Sequence, residues 1–361
     1  MSQYDTQSEI AKENAKKHGV VRVRTVLFGL LLTGILAMLG LSLLVAFAPD
    51  ASVGVVMRRV LPFPVAIADG AFISYGELDK NRESLRRFYE SQSDDLEQRG
   101  FRVDFNTPDG KKRLLLREKD ILNKLVEDRI ILFLAQGKGI RFSDGEAMAK
   151  VKEAIQEQGG SQENLENQLA RFYGWNLSEF KEKIVVPSLY REALEASFMK
   201  ERDVTAAKSA IEKAASELSN GTAFEAVAET FSDGDSKKDG GDLGWTDIEA
   251  LVPELQDAAR TQSINAVGSI LESTLGFHIV VVLDRKTESG KELVRMRQIF
   301  TRKPSFPDWL AEKKREAVIF ILPRRYLWDA ESGSVIFRDE ALRAFEKTAL
   351  QQSEGDPSLV F

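Results

Sequence analysis

Residues 26–48, VLFGLLLTGILAMLGLSLLVAFA, are apolar without a charge; beyond them apolar residues recur only at helical or strand spacing. At about 1.5 Å per residue such a run exceeds the ~30 Å of a bilayer core, whereas a cleaved signal peptide carries a shorter apolar stretch. The pattern predicts a retained anchor over 26–48. Lys12, Lys16, Lys17, Arg22 and Arg24 precede it and only Arg58 and Arg59 follow closely, so a cytoplasmic tail of 1–25 is expected, with residues 50–361 outside.

After the anchor, VAIADGAFISYGELD predicts two short strands joined at Asp69-Gly70, then a helix capped near Ser74. Leu122, Leu125, Val126, Ile130, Phe133 and Leu134 keep helical period up to Gly137 and Gly139. SDGE at 143–146 reads as a capping box opening a helix that stops at Gly159-Gly160. Further helices are expected from Ser161 and Asn176, the latter kinked by Pro187. Another runs over 204–219, with Ala207, Ile211, Ala214 and Leu218 on one face. FHIVVV and ELVRMRQIFTRK (292–303) alternate as strands. Residues 306–322 read as a helix and a strand, and 324–337 as a hairpin turning near 331–334; the tail, 351–361, is expected to be loose.

Composition narrows the chemistry by subtraction. With 361 residues the chain has room for two or three folding units. A net charge of −6 gives no basic face for nucleic acid. No cysteine and only two histidines, His18 and His278, exclude disulfides, thiol nucleophiles and multi-histidine metal centres. Asp233, Asp235, Asp239 and Asp242 do not keep calcium-loop spacing, since Lys237 and Lys238 stand where ligands belong. GGDLG lacks a phosphate loop's spacing and lysine. No metal and no cofactor are expected.

The order of the early elements is more specific than any one of them. LVEDRIILFLAQGKGIRFSDGE and YGWNLSEFKEKIVVPSLYREAL, after the entry marked by Val65, Gly70, Ile73 and Leu78, resemble the N-terminal module of the SurA/PrsA/PpiD chaperone group over about 62–200. That resemblance implies a holder of unfolded or nascent extracytoplasmic polypeptides, at a bacterial inner (cytoplasmic) membrane.

Downstream, NGTAFEAVAETFS, GGDLGW (240–245), LVPEL (251–255) and STLGFHIVVVLDR (273–285) together resemble the parvulin (PpiC, rotamase) family of peptidyl-prolyl cis–trans isomerases. Trp245 and Phe277 suit a small core. The resemblance implies an apolar slot for a proline ring walled by Leu243, Leu251, Leu255 and Leu275, with Phe277 also counted as substrate-binding. Its polar groups would be His278, Ser273 and an aspartate, with Asp233 and Asp235 both open. Relatives commonly carry methionine, phenylalanine and an aromatic where this chain has Leu251, Leu255 and Leu275. They also begin with a strand bearing a first histidine, and nothing like it precedes Ala206. The strand at 292–303 is expected to take its place in a permuted arrangement, with Gln298 standing for that histidine and orienting His278.

The expected fold is therefore α+β. After the anchor come a mostly helical SurA-N-like module (62–200) and a parvulin-like α/β domain with a small antiparallel sheet (202–303). A C-terminal helix and hairpin (304–350) would complete the chaperone module. The expected function is a membrane-anchored foldase acting on X–Pro bonds of secreted or envelope polypeptides, in contact with lipid and with other envelope or secretion proteins. The alternatives are a parvulin-fold chaperone without catalysis, and a structural envelope protein with no affinity for unfolded chains.

Overall fold

The computed structural model describes residues 63–92, 104–157 and 160–351. The expected cytoplasmic tail and anchor (1–25, 26–48) lie outside them, as do residues 352–361. Among the described residues, no helix is long and apolar enough to cross a membrane.

In chain order, β1 (Pro64–Ala68) and β2 (Ala71–Ser74) lead into α1 (Tyr75–Ser91) and α2 (Pro108–Gly137). Then come α3 (Asp144–Glu157), α4 (Gln162–Phe172), α5 (Leu177–Phe180) and α6 (Val186–Glu201), followed by α7 (Thr205–Ser219) and α8 (Phe224–Phe231). The main strands β3 (Asp242–Asp247), β4 (Leu271–Glu272), β5 (Gly276–Glu288) and β6 (Lys291–Arg302) are interrupted by α9 (Pro253–Thr261). Last come α10 (Phe306–Glu316), β7 (Ile319–Ile321), β8 (Tyr326–Asp329), β9 (Ser334–Phe337) and α11 (Glu340–Gln351).

The chain divides into two compact units, the second formed by Ile131–Ala147 and Ile184–Glu316. In the first unit β1 pairs antiparallel with β2 on one side and with β7, from the far end of the chain, on the other. Asp69 and Gly70 turn the hairpin at φ 46 and 83. The Ser74 side chain then accepts from Glu77 N to cap α1.

Helix α2 begins fourteen residues before the legible periodicity at Leu122, because its early turns bury charge. Arg117, Glu118 and Lys119 are all buried. Glu118 accepts from Arg82 Nη1 at 2.7 Å and from Tyr326 Oη at 2.9 Å, and Lys119 donates to Glu346. A buried ion is tolerable only when paired in this way. Pairing partners so distant in sequence cannot be read from spacing. Helix α11 was likewise not anticipated.

At Asn176 a reciprocal capping box with Glu179 opens α5, as its sequence suggests. The expected kink takes the form of a π-helical turn over Lys181–Val185. Pro187, lacking an N–H, then sits in the first turn of α6, where none is needed.

The second unit is built on the antiparallel sheet β3-β6-β5-β4. One face, carrying Phe277, Ile279, Val281 and Ile299, packs on Ile211 and Ala214 of α7 and Val227 and Ala228 of α8. The other, carrying Val280, Val282, Val294 and Met296, packs on Leu255 and Ala259 of α9. Trp245 does not enter this core. It stands 41% exposed on edge strand β3, where the Lys286 ammonium lies over its ring, 4.6 Å from the centre. The bulge between Asp242 and Trp245, where Gly244 has φ 64, re-aims the side chain.

Candidate active site

The α9 face of the sheet brings together the residues that carry chemistry. The β5–β6 register sets His278 opposite Phe300, Val280 opposite Gln298 and Val282 opposite Met296. Facing residues point the same way across a sheet, so these six side chains share one face. Strand β4 adds Leu271, opposite His278. Leu255 is buried in the apolar cluster here, while Leu243 and Leu251 pack against it half-buried. Three of the four expected leucines thus line one apolar patch beside the histidine.

His278 is 2% exposed, and both ring nitrogens are engaged. Gln298 Nε2 lies 2.6 Å from Nδ1, and Ser273 Oγ lies 2.7 Å from Nε2. An amide nitrogen only donates, so Nδ1 accepts, and the neutral ring carries its proton on Nε2 and donates it to Ser273. Ser273 Oγ also accepts from Leu275 N and Gly276 N, which fixes the tight 273–276 turn. Burial pushes the His278 pKa down to about 4; Glu254 opposes this shift, and Lys303 reinforces it. The ring is a neutral, oriented group across the physiological range.

Phe300 stacks on the imidazole, ring centroids 4.8 Å apart and 26° from parallel. Gly276 makes room for that ring: a Cβ there would lie 2.4 Å from Phe300 Cε2 and 2.2 Å from Thr301 O. Lys303, buried at the end of β6, donates to the Ser273 carbonyl (2.8 Å) and the Glu272 carboxylate (2.6 Å), clamping the same turn. Gly240 and Gly241 adopt φ 62 and 84, and a Cβ on Gly241 would meet Gln298 O at 2.6 Å. The glycine pair lets the loop close against the strand that carries Gln298.

Phe277, Leu275, Asp233 and Asp235 stand outside the leucine cluster and make no contact with the His278 ring nitrogens. Phe277 points to the opposite face, into the α7–α8 core at 4% exposure, because strand neighbours alternate sides. It is a core residue and does not line the site. Leu275 is 55% exposed on the turn, outside the leucine cluster. Of the two aspartates, Asp233 is tied to the strand: its N donates to Phe300 O at 2.7 Å, and its carboxylate accepts from Arg302 N at 2.9 Å. Asp235 opens a short 3-10 helix with its side chain exposed.

Phe300, Leu271 and Lys303 are not among the expected site residues. Strand alternation puts Phe300 on the side of Gln298, but its stacking on His278 is not legible from it. The other two depend on contacts made only in the folded state.

Residues 191–284 match a family model described as Rotamase, the PPIC-type PPIASE domain. By that match the chain carries a parvulin-type rotamase domain.

The relatives it resembles include a Chaperone SurA of Methylobacillus flagellatus, 32% identical over 108 residues, covering 28% of this chain and 25% of that protein. A Chaperone SurA of Nitrosococcus oceani is 36% identical over 95 residues, covering 26% of this chain and 22% of that protein. The chain thus spans about a quarter of the length of these relatives. Among solved structures, a peptidylprolyl isomerase (PrsA) from Bacillus anthracis matches at 19% identity with a TM-score of 0.19, over 64% of this chain and 97% of that one.

Proposed function

We propose that this protein is a peptidyl-prolyl cis–trans isomerase and chaperone that acts on unfolded or nascent polypeptides outside the cytoplasm, held at the inner membrane by residues 26–48. The observation that carries the catalytic part is the Gln298–His278–Ser273 chain, set on the same sheet face as Leu243, Leu251 and Leu255. In the chain's permuted order, β6 serves as the family's first strand and Gln298 as its first histidine.

Rotation about X–Pro meets a barrier of about 18–20 kcal/mol from the double-bond character of the amide. A leucine-lined slot that receives the ring takes water away from the amide carbonyl and so weakens the charge-separated resonance form. The twisted state, in which that resonance is lost, is then favoured over the planar one. Neutral His278 puts no full charge beside the bond, and its two hydrogen bonds keep the floor of the slot rigid. Asp233 shapes the site by holding β6, and Asp235 and Leu275 sit at its exposed margin.

Exchange NMR or a protease-coupled assay on a short X–Pro peptide tests this reading. Isomerisation is expected to accelerate, with His278→Ala at least about tenfold slower, equivalent to roughly 1.4 kcal/mol. No acceleration at high protein concentration sinks the catalytic part. The glutamine at 298 favours a second reading, a binder of unfolded chains without turnover. Suppression of client aggregation by a protein inactive in that assay would establish it. The anchor is tested separately, by whether the full chain stays with membranes after alkaline carbonate washing.

A further inference from the structure

We infer that the outer face of the β2-β1-β7 sheet lies against the bilayer, with Phe72 and Phe320 seated among the lipid headgroups; this rests on the anchored reading above. An antiparallel sheet covered on one side only normally turns polar residues to the other. Here the covered side carries Ala66, Ala68 and Ile73, all fully buried. The open side is apolar as well. Ile67 pairs with Phe72 on β2 and with Phe320 on β7, so the three side chains make one row across the sheet. Phe72 is 66% exposed and Phe320 61%, and Val318, just before β7, is 59% exposed. Asp69, at the hairpin tip, is held by Val318, whose N–H donates to its carboxylate at 3.0 Å. A contiguous row of large exposed apolar groups marks an interaction surface.

The place of this sheet in the chain points to its occupant. The apolar run ends at residue 48 and β1 starts at Pro64, so fifteen residues, 49–63, separate them. Even fully extended these reach only about 50 Å, which holds the sheet beside the bilayer. The connecting segment carries Arg58 and Arg59 against Asp50, a balance that suits anionic headgroups. Ile67, Phe72, Val318 and Phe320 are far fewer than the roughly 20–30 residues a side of a stable protein–protein interface. Lipid makes no such demand. Phenylalanine side chains partition readily into the headgroup boundary, and a surface tethered beside it meets lipid at high local concentration. A patch too small to recruit a free protein is then sufficient.

The chain has no cysteine, so Phe72→Cys, Phe320→Cys and, as a control on α7, Ser216→Cys each take one environment-sensitive fluorophore in the full protein. All three positions are exposed, so none of the changes opens the core. In liposomes of phosphatidylethanolamine and phosphatidylglycerol, lipids spin-labelled near the headgroup are expected to quench the labels at 72 and 320 several-fold more than the label at 216. Adding Phe320→Asp to the chain labelled at 72 is expected to remove that excess. Equal quenching at all three positions overturns the proposal. So do labels at 72 and 320 that are screened from water yet not quenched by lipid, the result a second copy or a bound polypeptide would give. Carbonate washing of the same liposomes reads the anchor separately. A chain that washes out fails the anchor reading, while quenching measured before the wash still decides whether this face meets lipid.

Discussion

His278 shows how a titratable residue can be useful by not titrating. Its amide partner donates to Nδ1, so a second proton would set two donors against each other, in addition to the desolvation that already lowers its pKa to about 4. The unfolded chain binds that proton with an ordinary pKa of 6.5. A depressed folded value contributes stability that is fully present above pH 6.5 and is lost as pH falls toward 4, by up to about 1.4 kcal/mol per pH unit. Urea unfolding between pH 7.5 and 4.5 should therefore show a decline that His278→Gln reduces. Activity, by the same logic, should be flat from about pH 6 to 8. A two-dimensional nitrogen-proton spectrum showing His278 protonated at Nδ1 at pH 7 would overturn this assignment.

At the scale of elements, the site depends on loops that close tightly on β6. Gly241 combines a left-handed backbone with a neighbour at 2.6 Å, whereas Gly290, at φ 78, has nothing within 4 Å of a built Cβ. Alanine at 290 should cost roughly 1 kcal/mol for the backbone alone, and alanine at 241 several times that, because the Gln298 carbonyl must also move. Thermal denaturation of the two variants measures the difference, and equal costs would show that the loop relaxes freely. The same comparison explains why GGDLGW was legible as a motif while its role was not. The glycine pair marks a turn in any sequence, but only the fold shows that the turn closes on Gln298.

At the scale of the whole molecule, the first unit is assembled from distant pieces of chain. Its sheet takes β7 from residues 319–321 onto β1, with Ala66 opposite Ile321. Its helical part buries Glu118 against Tyr326, and Asn123 Nδ2 donates to Val335 O while Asn123 Oδ1 accepts from Val335 N. A chain ending at Glu316 loses the third strand and leaves Glu118 without its phenol donor. Hydrogen exchange of such a truncation should show β1 unprotected, and native-like protection there would mean that the two-stranded hairpin is sufficient.

Helices α1, α3 and α4 and the later turns of α2, the hairpin at Asp69-Gly70, the capping boxes and the rotamase motifs were written in local sequence. They follow from side-chain periodicity and from backbone preferences acting within a few residues. Local sequence also held the alternation that made 292–303 a strand. Tertiary structure alone decided that this strand lies between β3 and β5, that Phe277 and His278 take opposite faces, that Trp245 stays outside, and that charged residues at 117–119 are buried. Each of these depends on which distant partner satisfies a hydrogen bond or covers an apolar surface, and that choice is made only when the chain closes on itself.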